Sequence, residues 1–402
     1  MPTTPPILLL ITISFITIHA KPIPLSNCPL PSLSKNMNFG KTLLPFYQLS
    51  TNYTNLNHGS YGSVPKSVTD VRRCWSDLVE KSPDSWYRYD MYDTINLVRT
   101  KLAKYINAAS PEDVVLIDNA SHGMNAILRS LAPKLLAKKG SKILYLQTAY
   151  RMVLNTLKFV HKVYNEQLLQ VNITTNTIPG MTFDDSVVYA VEEALKAELP
   201  GTVKLASFSH IISVPGAILP IKRLVQVCRK YNVQVLVDGA HCLGHIPIDV
   251  QDIDPDYYVA NGHKWLYSAK GSALLYVRPN RQSEISPTTI SYEGQGLSRF
   301  QIGFAYQGTQ DMTQYMSMSA ALDFRSVVSK GNDENIMNYM HQLALKGGKL
   351  LAKAWGTTLL LNETNFGAMV DVELPYNKNV TLLQQLPALL LEKYQTWVSF
   401  LW

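Results

Sequence analysis

The chain has 402 residues, of which 46% are hydrophobic and 17% charged, and its formal net charge is +7 at pH 7. This balance allows a sizeable buried core and excludes an intrinsically disordered protein. The length suits one large α/β unit with a smaller second domain. The basic residues are spread along the chain without zinc-finger spacing or a basic region joined to heptads, so we expect no nucleic-acid partner.

The N-terminus predicts secretion. Residues 7–18 form an apolar stretch that is too short to cross a bilayer, and His19 and Ala20 follow it. We interpret residues 1–20 as a signal peptide and expect the protein outside the cell or in the lumen of the secretory pathway, with no other membrane contact. A short uncleaved anchor is the alternative, because no Lys or Arg precedes the apolar stretch. Five sequons support secretion: Asn52, Asn119, Asn172, Asn362 and Asn379.

The four cysteines have no metal-binding or redox spacing, and we expect no metal site. Cys228 and Cys242 flank an apolar run, which predicts that both lie in the core. Cys28 and Cys74 could form a disulfide if the chain enters the secretory pathway, but the sequence leaves this pairing open.

From about residue 110, short apolar runs rich in β-branched residues alternate with segments of helical spacing. The predicted strands are 114–118, 142–147, 168–173, 203–209, 233–238, 257–260 and 272–277. The predicted helices between them are 124–136, 151–163, 184–199 and 221–230. This order predicts an α/β fold in which helices cover both faces of a mostly parallel sheet.

The alternating unit predicts a large domain over residues 109–298. Residues 21–108 would contribute to a smaller α+β domain and to the entrance of the active site. Residues 299–402 would form the rest of the smaller domain, which we expect to be incomplete. The elements predicted in these flanks are helices at 66–81, 90–106, about 313–330 and 333–354, a strand at 368–374 and a final helix from Val380.

Polar residues follow five of the predicted strands. These strand ends are 119–123, Tyr150, 210–213, 238–241 and 261–264. Ligands of open α/β sheets bind beyond the carboxyl ends of the strands, and packing of a core alone would not require five polar ends. The pattern therefore predicts a binding site along this edge of the sheet. We expect Asn119 to stay unglycosylated, because it would lie in this site.

The residue types at these ends suit a phosphorylated aromatic cofactor. The N–H groups of loop 119–123 and the Ser121 hydroxyl could bind phosphate, although an ordinary helix cap is the alternative. Asp238 ends an apolar strand and needs a partner such as a pyridinium nitrogen, or else caps a turn or pairs with a lysine. Lys264 could form an imine if apolar neighbours lower its pKa, whereas a lone lysine is more often a surface residue. Tyr150 could cover the ring, and the combination of these residues favours the site.

The order and spacing of these segments resemble the class V aminotransferase family of pyridoxal-phosphate enzymes. The resemblance is strongest to the isopenicillin-N-epimerase-like and cysteine-desulfhydrase-like branch, and it spans roughly residues 41–395. It rests on the segments 56–62, 119–121, 149–150, 209–213, 238–241, 261–265 and 308–311. It implies a fold-type-I transferase and the cofactor pyridoxal 5′-phosphate.

By this resemblance, Lys264 forms a Schiff base with the cofactor and moves the α-proton of an amino-acid substrate. Asp238 would pair with the pyridine nitrogen, and Tyr150 would stack on the ring. The phosphate would be bound by Ser121, the His122 N–H, Asn261 and His263. Ser213 and His241 would lie near the ring hydroxyl, and Asn57, His58 and Tyr61 on the substrate side. Gly308 and Thr309 would reach the phosphate of a neighbouring subunit, which implies a homodimer.

The resemblance leaves the reaction open. β-Elimination of a sulfur amino acid, epimerisation and transamination all fit, whereas persulfide formation is disfavoured because no cysteine follows Cys242.

Family members continue past the segment that ends at Trp402, into a strand with an arginine that binds the substrate carboxylate. Arg299, Arg151 or Arg88 could substitute, or the sequence could come from a truncated gene model. The alternative function is a secreted, catalytically impaired pseudoenzyme that keeps the fold for binding.

Overall fold

A computed structural model describes residues 23–32, 38–135, 140–164, 167–175, 177–291, 298–375 and 380–399. The predicted signal peptide, residues 1–20, and the sequon at Asn379 lie outside the described residues. Within them, none of the helices has the length and apolar character needed to cross a membrane. The same residues hold no group of three or more His, Cys, Asp or Glu side chains arranged for a metal ion.

A seven-stranded sheet forms the centre of the described molecule. Its strands are β1 (Val114–Ile117), β2 (Lys142–Leu146), β3 (Gln167–Val171), β4 (Val203–Ser209), β5 (Gln234–Asp238), β6 (Tyr257–Asn261) and β7 (Ala273–Val277). Their order across the sheet is β1-β7-β6-β5-β4-β2-β3. Only β7 runs antiparallel to its neighbours β1 and β6, so β1 to β6 share one direction. The predicted mostly parallel sheet is confirmed.

Helices follow the strands and cover both faces of the sheet. The longer helices are α1 (Lys66–Lys81), α2 (Met91–Tyr105), α3 (Ala120–Leu135), α4 (Arg151–Tyr164), α5 (Phe183–Lys196), α6 (Ile221–Lys230), α7 (Arg299–Ala305), α8 (Thr313–Val328), α9 (Glu334–Trp355) and α10 (Val380–Tyr394). Shorter helical turns are Leu25–Asn27, Lys41–Phe46, His58–Tyr61, Pro83–Ser85, Trp86–Asp90, Pro111–Asp113, Val250–Ile253, Pro279–Glu284 and Glu363–Asn365. In α6 the buried residues Ile221, Leu224, Val225 and Cys228 recur at helical spacing, which gives the helix one apolar face toward the core.

The core is divided by the sheet into two clusters. Alternate residues of β5 point to opposite faces, so Val235 and Val237 join one cluster and Leu236 the other. Both sets are fully buried. This is why the central strands are continuous apolar runs in the sequence rather than alternating apolar and polar residues.

The predicted strand at 368–374 is wrong. This segment makes one isolated antiparallel bridge, between Val372 and Leu359, with two backbone hydrogen bonds beside it. Within the described residues, its backbone pairs with the short stretch 358–360 that follows α9, and a two-stranded pair this short does not develop into a ladder. The division of the chain into domains at 21–108, 109–298 and 299–402 stays a prediction.

A disulfide joins Cys28 to Cys74, a pairing that the sequence left open. Their Cα atoms are 5.7 Å apart, and the bond ties the segment 23–32 to α1. Cys228 and Cys242 are free and buried, as predicted.

Candidate active site

Lys264, His241 and Asp238 come together at the carboxyl ends of β5 and β6. Asp238 is the last residue of β5, and Lys264 follows the end of β6 by three residues. The Lys264 Nζ lies 3.1 Å from the His241 Nε2. The sequence placed all three at neighbouring strand ends, and the parallel direction of the strands brings these ends to one edge of the sheet.

Burial shifts the pKa values of Lys264 and Asp238 in opposite directions, because it favours the neutral form of each side chain. It lowers the pKa of Lys264 from 10.5 to about 8, although the Asp238 carboxylate acts in the opposite direction. Burial likewise raises the pKa of Asp238, while the Ala240 N–H and Lys264 oppose this change. A substantial fraction of Lys264 is therefore a neutral, nucleophilic amine near pH 8.

Asp238 suits a cationic ring. Its side chain is buried, and its Oδ1 accepts a hydrogen bond of 3.0 Å from the Ala240 N–H. A buried carboxylate is stabilised by a charged hydrogen-bond donor, which the protonated pyridine nitrogen of pyridoxal phosphate would supply. Together with a lysine of lowered pKa 3.1 Å from a histidine, these residues fit the cofactor that the resemblance implies.

The start of α3 forms the candidate phosphate site. The helix begins at Ala120, four residues earlier than predicted, so Ser121 and His122 lie in its first turn. The Ala120 N–H donates to the Asn261 Oδ1 at 2.8 Å, and the His122 N–H donates to the Asn119 Oδ1 at 2.9 Å. The His122 amide, which we expected at the phosphate, is thus bonded to Asn119. The positive end of the helix dipole and the partly buried Ser121 remain suited to an anion.

His263 is held by the backbone of the neighbouring strand. Its Nδ1–H donates to the Ser272 carbonyl at 3.0 Å, and burial lowers the pKa of His263 to about 4. In this neutral tautomer the Nε2 is an acceptor, so the ring could donate to a phosphate only after protonation. Ser213, also predicted at the cofactor, is partly buried in the loop after β4.

The predicted substrate-side residues separate into two groups. Tyr61 is 75% exposed, and the Asn57 Oδ1 accepts a hydrogen bond of 2.9 Å from the Ser60 hydroxyl. His58 instead turns toward the lysine loop, where its Nε2–H donates to the Lys264 carbonyl at 2.9 Å. Burial lowers the pKa of His58 to about 4, so the ring is neutral. His58 therefore holds the backbone of Lys264 in place through this hydrogen bond.

Met369 is a neighbour of the site that the sequence analysis missed, whereas Gly59 belongs to the segment 56–62 that it placed there. A Cβ atom added to Gly59 would lie 3.0 Å from the Met369 Sδ, 3.1 Å from the Trp265 ring and 3.6 Å from the His241 Cε1. The short turn that contains Gly59 therefore closes directly over His241, and Met369 from the C-terminal part lies beside it. Met369 is more than 100 residues from Lys264 and His241 in sequence, and no local pattern signals its position.

The remaining predicted residues lie at the outer part of the site. Tyr150 directly precedes α4 and is 53% exposed, so no side chain of the described residues covers most of its ring. The Thr309 Oγ1 lies 3.0 Å from the Tyr306 hydroxyl, next to Gly308, which has a φ of 115°. A role of Gly308 and Thr309 at a neighbouring subunit's phosphate stays a prediction.

None of the three arginines proposed as a substitute clamp is buried. Arg88 pairs with Asp84 at 2.9 Å, Arg151 begins α4 beside Tyr150, and Arg299 begins α7. Arg151 is the arginine that adjoins a predicted site residue in sequence.

Comparison with known proteins agrees with this geometry. The family described as Aminotransferase class-V matches residues 82–383. The chain is 30% identical to a putative L-cysteine desulfhydrase 1 of Oryza sativa subsp. japonica over 332 residues, which cover 80% of this chain and 67% of the relative. It is 26% identical to a hercynylcysteine sulfoxide lyase of Schizosaccharomyces pombe, covering 92% and 91% of the two chains.

A solved structure shares the fold. The apo cysteine desulfurase of Thermococcus onnurineus NA1 superimposes with a TM-score of 0.70 at 16% identity, covering 89% of this chain and 87% of that one. At this identity the similarity concerns the fold alone. The match of the family over most of the chain carries the assignment: the chain belongs to the class-V aminotransferase family of pyridoxal-phosphate-dependent enzymes.

Proposed function

We propose that this protein is a carbon–sulfur lyase that eliminates the sulfur group from the β-carbon of an amino acid, with Lys264 as the reactive amine. The observation that carries this proposal is the partly buried Lys264 amine, whose pKa is lowered to about 8 by burial, 3.1 Å from His241. The names of the desulfhydrase and sulfoxide lyase relatives support a sulfur-containing substrate.

The cofactor, when bound, supplies an electron-withdrawing ring that weakens the bonds at the substrate α-carbon. Lys264 is the residue that would hold the cofactor and then accept the α-proton at its Nζ. Asp238 would hold the positive charge of the ring nitrogen. Loss of the α-proton is shared by elimination, epimerisation and transamination, so a second observation has to select among reactions.

The cysteines favour elimination over transfer of sulfur to the protein. A persulfide-forming enzyme needs an accessible thiolate, but Cys28 and Cys74 form a disulfide. Cys228 and Cys242 are buried, and burial raises the pKa of each to about 12. None of the four cysteines is therefore suited to carry sulfur. The outcome that we propose is release of the sulfur group as the leaving group, for example as sulfide from cysteine, together with pyruvate and ammonia.

The first experiment tests the role of Lys264. Purified protein with added pyridoxal phosphate should show a visible absorption band, and borohydride should fix the cofactor to Lys264 as mapped by mass spectrometry. Lys264→Ala should lose both signals. Lys270→Ala is the matched control, because Lys270 is exposed and donates to the Gly62 carbonyl at 3.0 Å. A folded, colourless wild-type protein that takes up no cofactor would refute the enzyme proposal and leave a binding pseudoenzyme.

The second experiment identifies the reaction. L-Cysteine, L-cystine and a cysteine S-oxide are incubated with the loaded enzyme. Pyruvate, ammonia and the sulfur product are measured, which is sulfide from cysteine, cysteine persulfide from cystine and a sulfenic acid from the S-oxide. Equal amounts of pyruvate and ammonia support elimination. Formation of the D-amino acid without pyruvate would indicate epimerisation, and conversion of an added 2-oxo acid to an amino acid would indicate transamination.

We also propose that the chain enters the secretory pathway. The disulfide between Cys28 and Cys74 supports this, because such bonds persist in oxidising compartments. The sequons at Asn52, Asn172 and Asn362 are exposed and could accept glycans. Expression in eukaryotic cells, followed by glycosidase digestion, should shift the protein on a gel. Unglycosylated cytosolic protein with reduced Cys28 and Cys74 would contradict the proposal.

Finally, we propose a homodimer in which Gly308 and Thr309 contact the cofactor phosphate of the partner. The support is the position of both residues in a partly exposed turn, where the φ of Gly308 is 115°. Light scattering should give twice the chain mass. A wild-type monomer that binds the cofactor fully would contradict it.

A further inference from the structure

The indole ring of Trp265, the residue after the reactive lysine, is held on several sides. The His245 ring packs against it, tilted, at 4.3 Å between ring centroids, and the His58 ring lies at 5.1 Å. The Trp265 carbonyl accepts a hydrogen bond of 2.8 Å from the Arg325 Nη1. The side chain is buried, so it has little freedom to rotate. The direction of its N–H is therefore fixed by packing.

This N–H points at His241. The Trp265 Nε1–H donates to the His241 Nδ1 at 3.5 Å, and the opposite ring nitrogen, Nε2, lies 3.1 Å from the Lys264 Nζ. An indole N–H can only donate, so the His241 Nδ1 has to be the nitrogen that carries the lone pair. If the ring is neutral, its single proton is then on Nε2 and faces the lysine.

The ring is neutral in its surroundings. Burial lowers the pKa of His241 well below its usual value, and the nearby Lys264 and His245 lower it further. A neutral ring with its proton on Nε2 can donate to the lone pair of an uncharged lysine amine. The same proton would oppose an ammonium group, because two donors would face each other.

Other charged and titratable groups surround the pair. Those that act on Lys264, His241 and their ring neighbours are Asp238, Cys242, His58, His245, His263, Lys270, Arg325 and His341. Among them, Asp238 and Cys242 favour the charged form of Lys264, so the neutral form has to be supported by burial and by the hydrogen bond from His241.

We infer that Trp265 is a positioning residue: its indole N–H holds His241 in the Nε2–H tautomer, and this tautomer keeps the Lys264 amine neutral and able to attack a carbonyl. The consequence for the reaction rests on the proposed function, since it takes Lys264 as the reactive amine. The tautomer itself is a property of the protein without its cofactor and can be measured separately.

The test uses the full chain without cofactor, labelled with ¹⁵N at histidine, and measures the ring nitrogen shifts by NMR. His241→Gln assigns the signals of His241 by their loss. In the wild type we expect the shifts of a neutral ring protonated at Nε2. In Trp265→Phe, which keeps an aromatic ring between His245 and His58 but has no N–H, we expect a mixture of both tautomers.

The second readout is the titration of Lys264, followed by the pH dependence of its acetylation with acetic anhydride and quantified by mass spectrometry. Loss of one hydrogen bond of ordinary strength should raise the midpoint in Trp265→Phe by roughly one pH unit. Trp355→Phe is the matched control, because Trp355 is exposed at the end of α9, and its midpoint should equal that of the wild type.

A wild-type His241 protonated at Nδ1 would overturn the inference, and this result does not depend on the folding of Trp265→Phe. An unchanged tautomer and midpoint in folded Trp265→Phe would also overturn it. Failure of the proposed function looks different: the expected tautomer and midpoint shift would be found, but Lys264 would take up no pyridoxal phosphate.

Discussion

Arg325 should be among the most costly residues to replace, although it touches no substrate in the proposed reaction. It lies in the last turn of a largely buried helix, α8, and is 1% exposed. Its guanidinium forms a two-pronged pair with Asp333 at 2.8 and 2.9 Å. It also donates to the carbonyls of Trp265 at 2.8 Å and Gly244 at 2.9 Å. One buried cation thus joins α8 to the loop that carries the lysine.

Arg325→Met removes the charge but keeps much of the apolar volume. The substitution leaves Asp333 without its cationic partner, although the Tyr105 hydroxyl still donates to it, and leaves two buried carbonyls without a donor. Breaking a buried ion pair in this way costs about 3–5 kcal/mol. We expect the free energy of unfolding, from urea titration followed by circular dichroism, to fall by this amount. Cofactor affinity should fall as well, because the Trp265 carbonyl is no longer held.

The matched control is Lys101→Met, which removes a charge of the same sign. Lys101 pairs with Asp323 at 2.8 Å, but both side chains are substantially exposed. An exposed pair contributes about 0–1 kcal/mol, so this variant should unfold close to the wild type. Equal effects of the two substitutions, or a loss below about 1 kcal/mol for Arg325→Met, would refute the reasoning that burial makes Arg325 important.

Three further predictions concern the lysine, a glycine and the disulfide. The rate of cofactor uptake by the apo protein should rise with pH through about 8, because the amine of Lys264 loses its proton there. Stopped-flow absorbance measures this rate, and a midpoint near pH 10.5 would contradict the lowered pKa. Gly62→Ala should lower the free energy of unfolding in urea by about 2 kcal/mol or more, because Gly62 has a φ of 68° and an added Cβ would lie 2.0 Å from a backbone oxygen of the lysine loop. As the control, Gly347→Ala in an open helical position should be neutral or stabilising. Cys74→Ser should lower the stability by about 4 kcal/mol under oxidising conditions, because Cys28 and Cys74 are 46 residues apart, and reductant should abolish the difference from the wild type.

The sheet and its helices could be predicted well because their signals are local. The strand Val203–Ser209 and the helix Ile221–Lys230 have the predicted bounds, since a strand buried on both faces is a continuous apolar run and a helix on its face repeats at helical spacing. The strand ends then located Asp238 and Lys264, because parallel strands bring their carboxyl ends to one edge. The family resemblance added the cofactor, which no periodicity encodes.

Errors arose where a contact between distant segments decided the local structure. The start of α3 moved to Ala120, because its N–H is bonded to Asn261, which comes from β6. The segment 368–374 looks like a strand locally, but in the part of the chain that the structure describes it pairs with a stretch after α9 that is too short for a ladder. In the sequence of α8, Arg325 stands among apolar residues, and this position indicates a buried arginine that was not predicted.

By itself the sequence determined the α/β class, the order of the elements and the line of polar residues at the strand ends. Each of these follows from patterns within one or two elements, where the spacing of apolar residues reports burial. Only the tertiary structure decided the pairing of Cys28 with Cys74 and the contact of His58 with the Lys264 carbonyl. It also decided the burial that lowers the pKa of Lys264. These properties depend on distances between atoms far apart in the chain, and such distances are set only when the core closes.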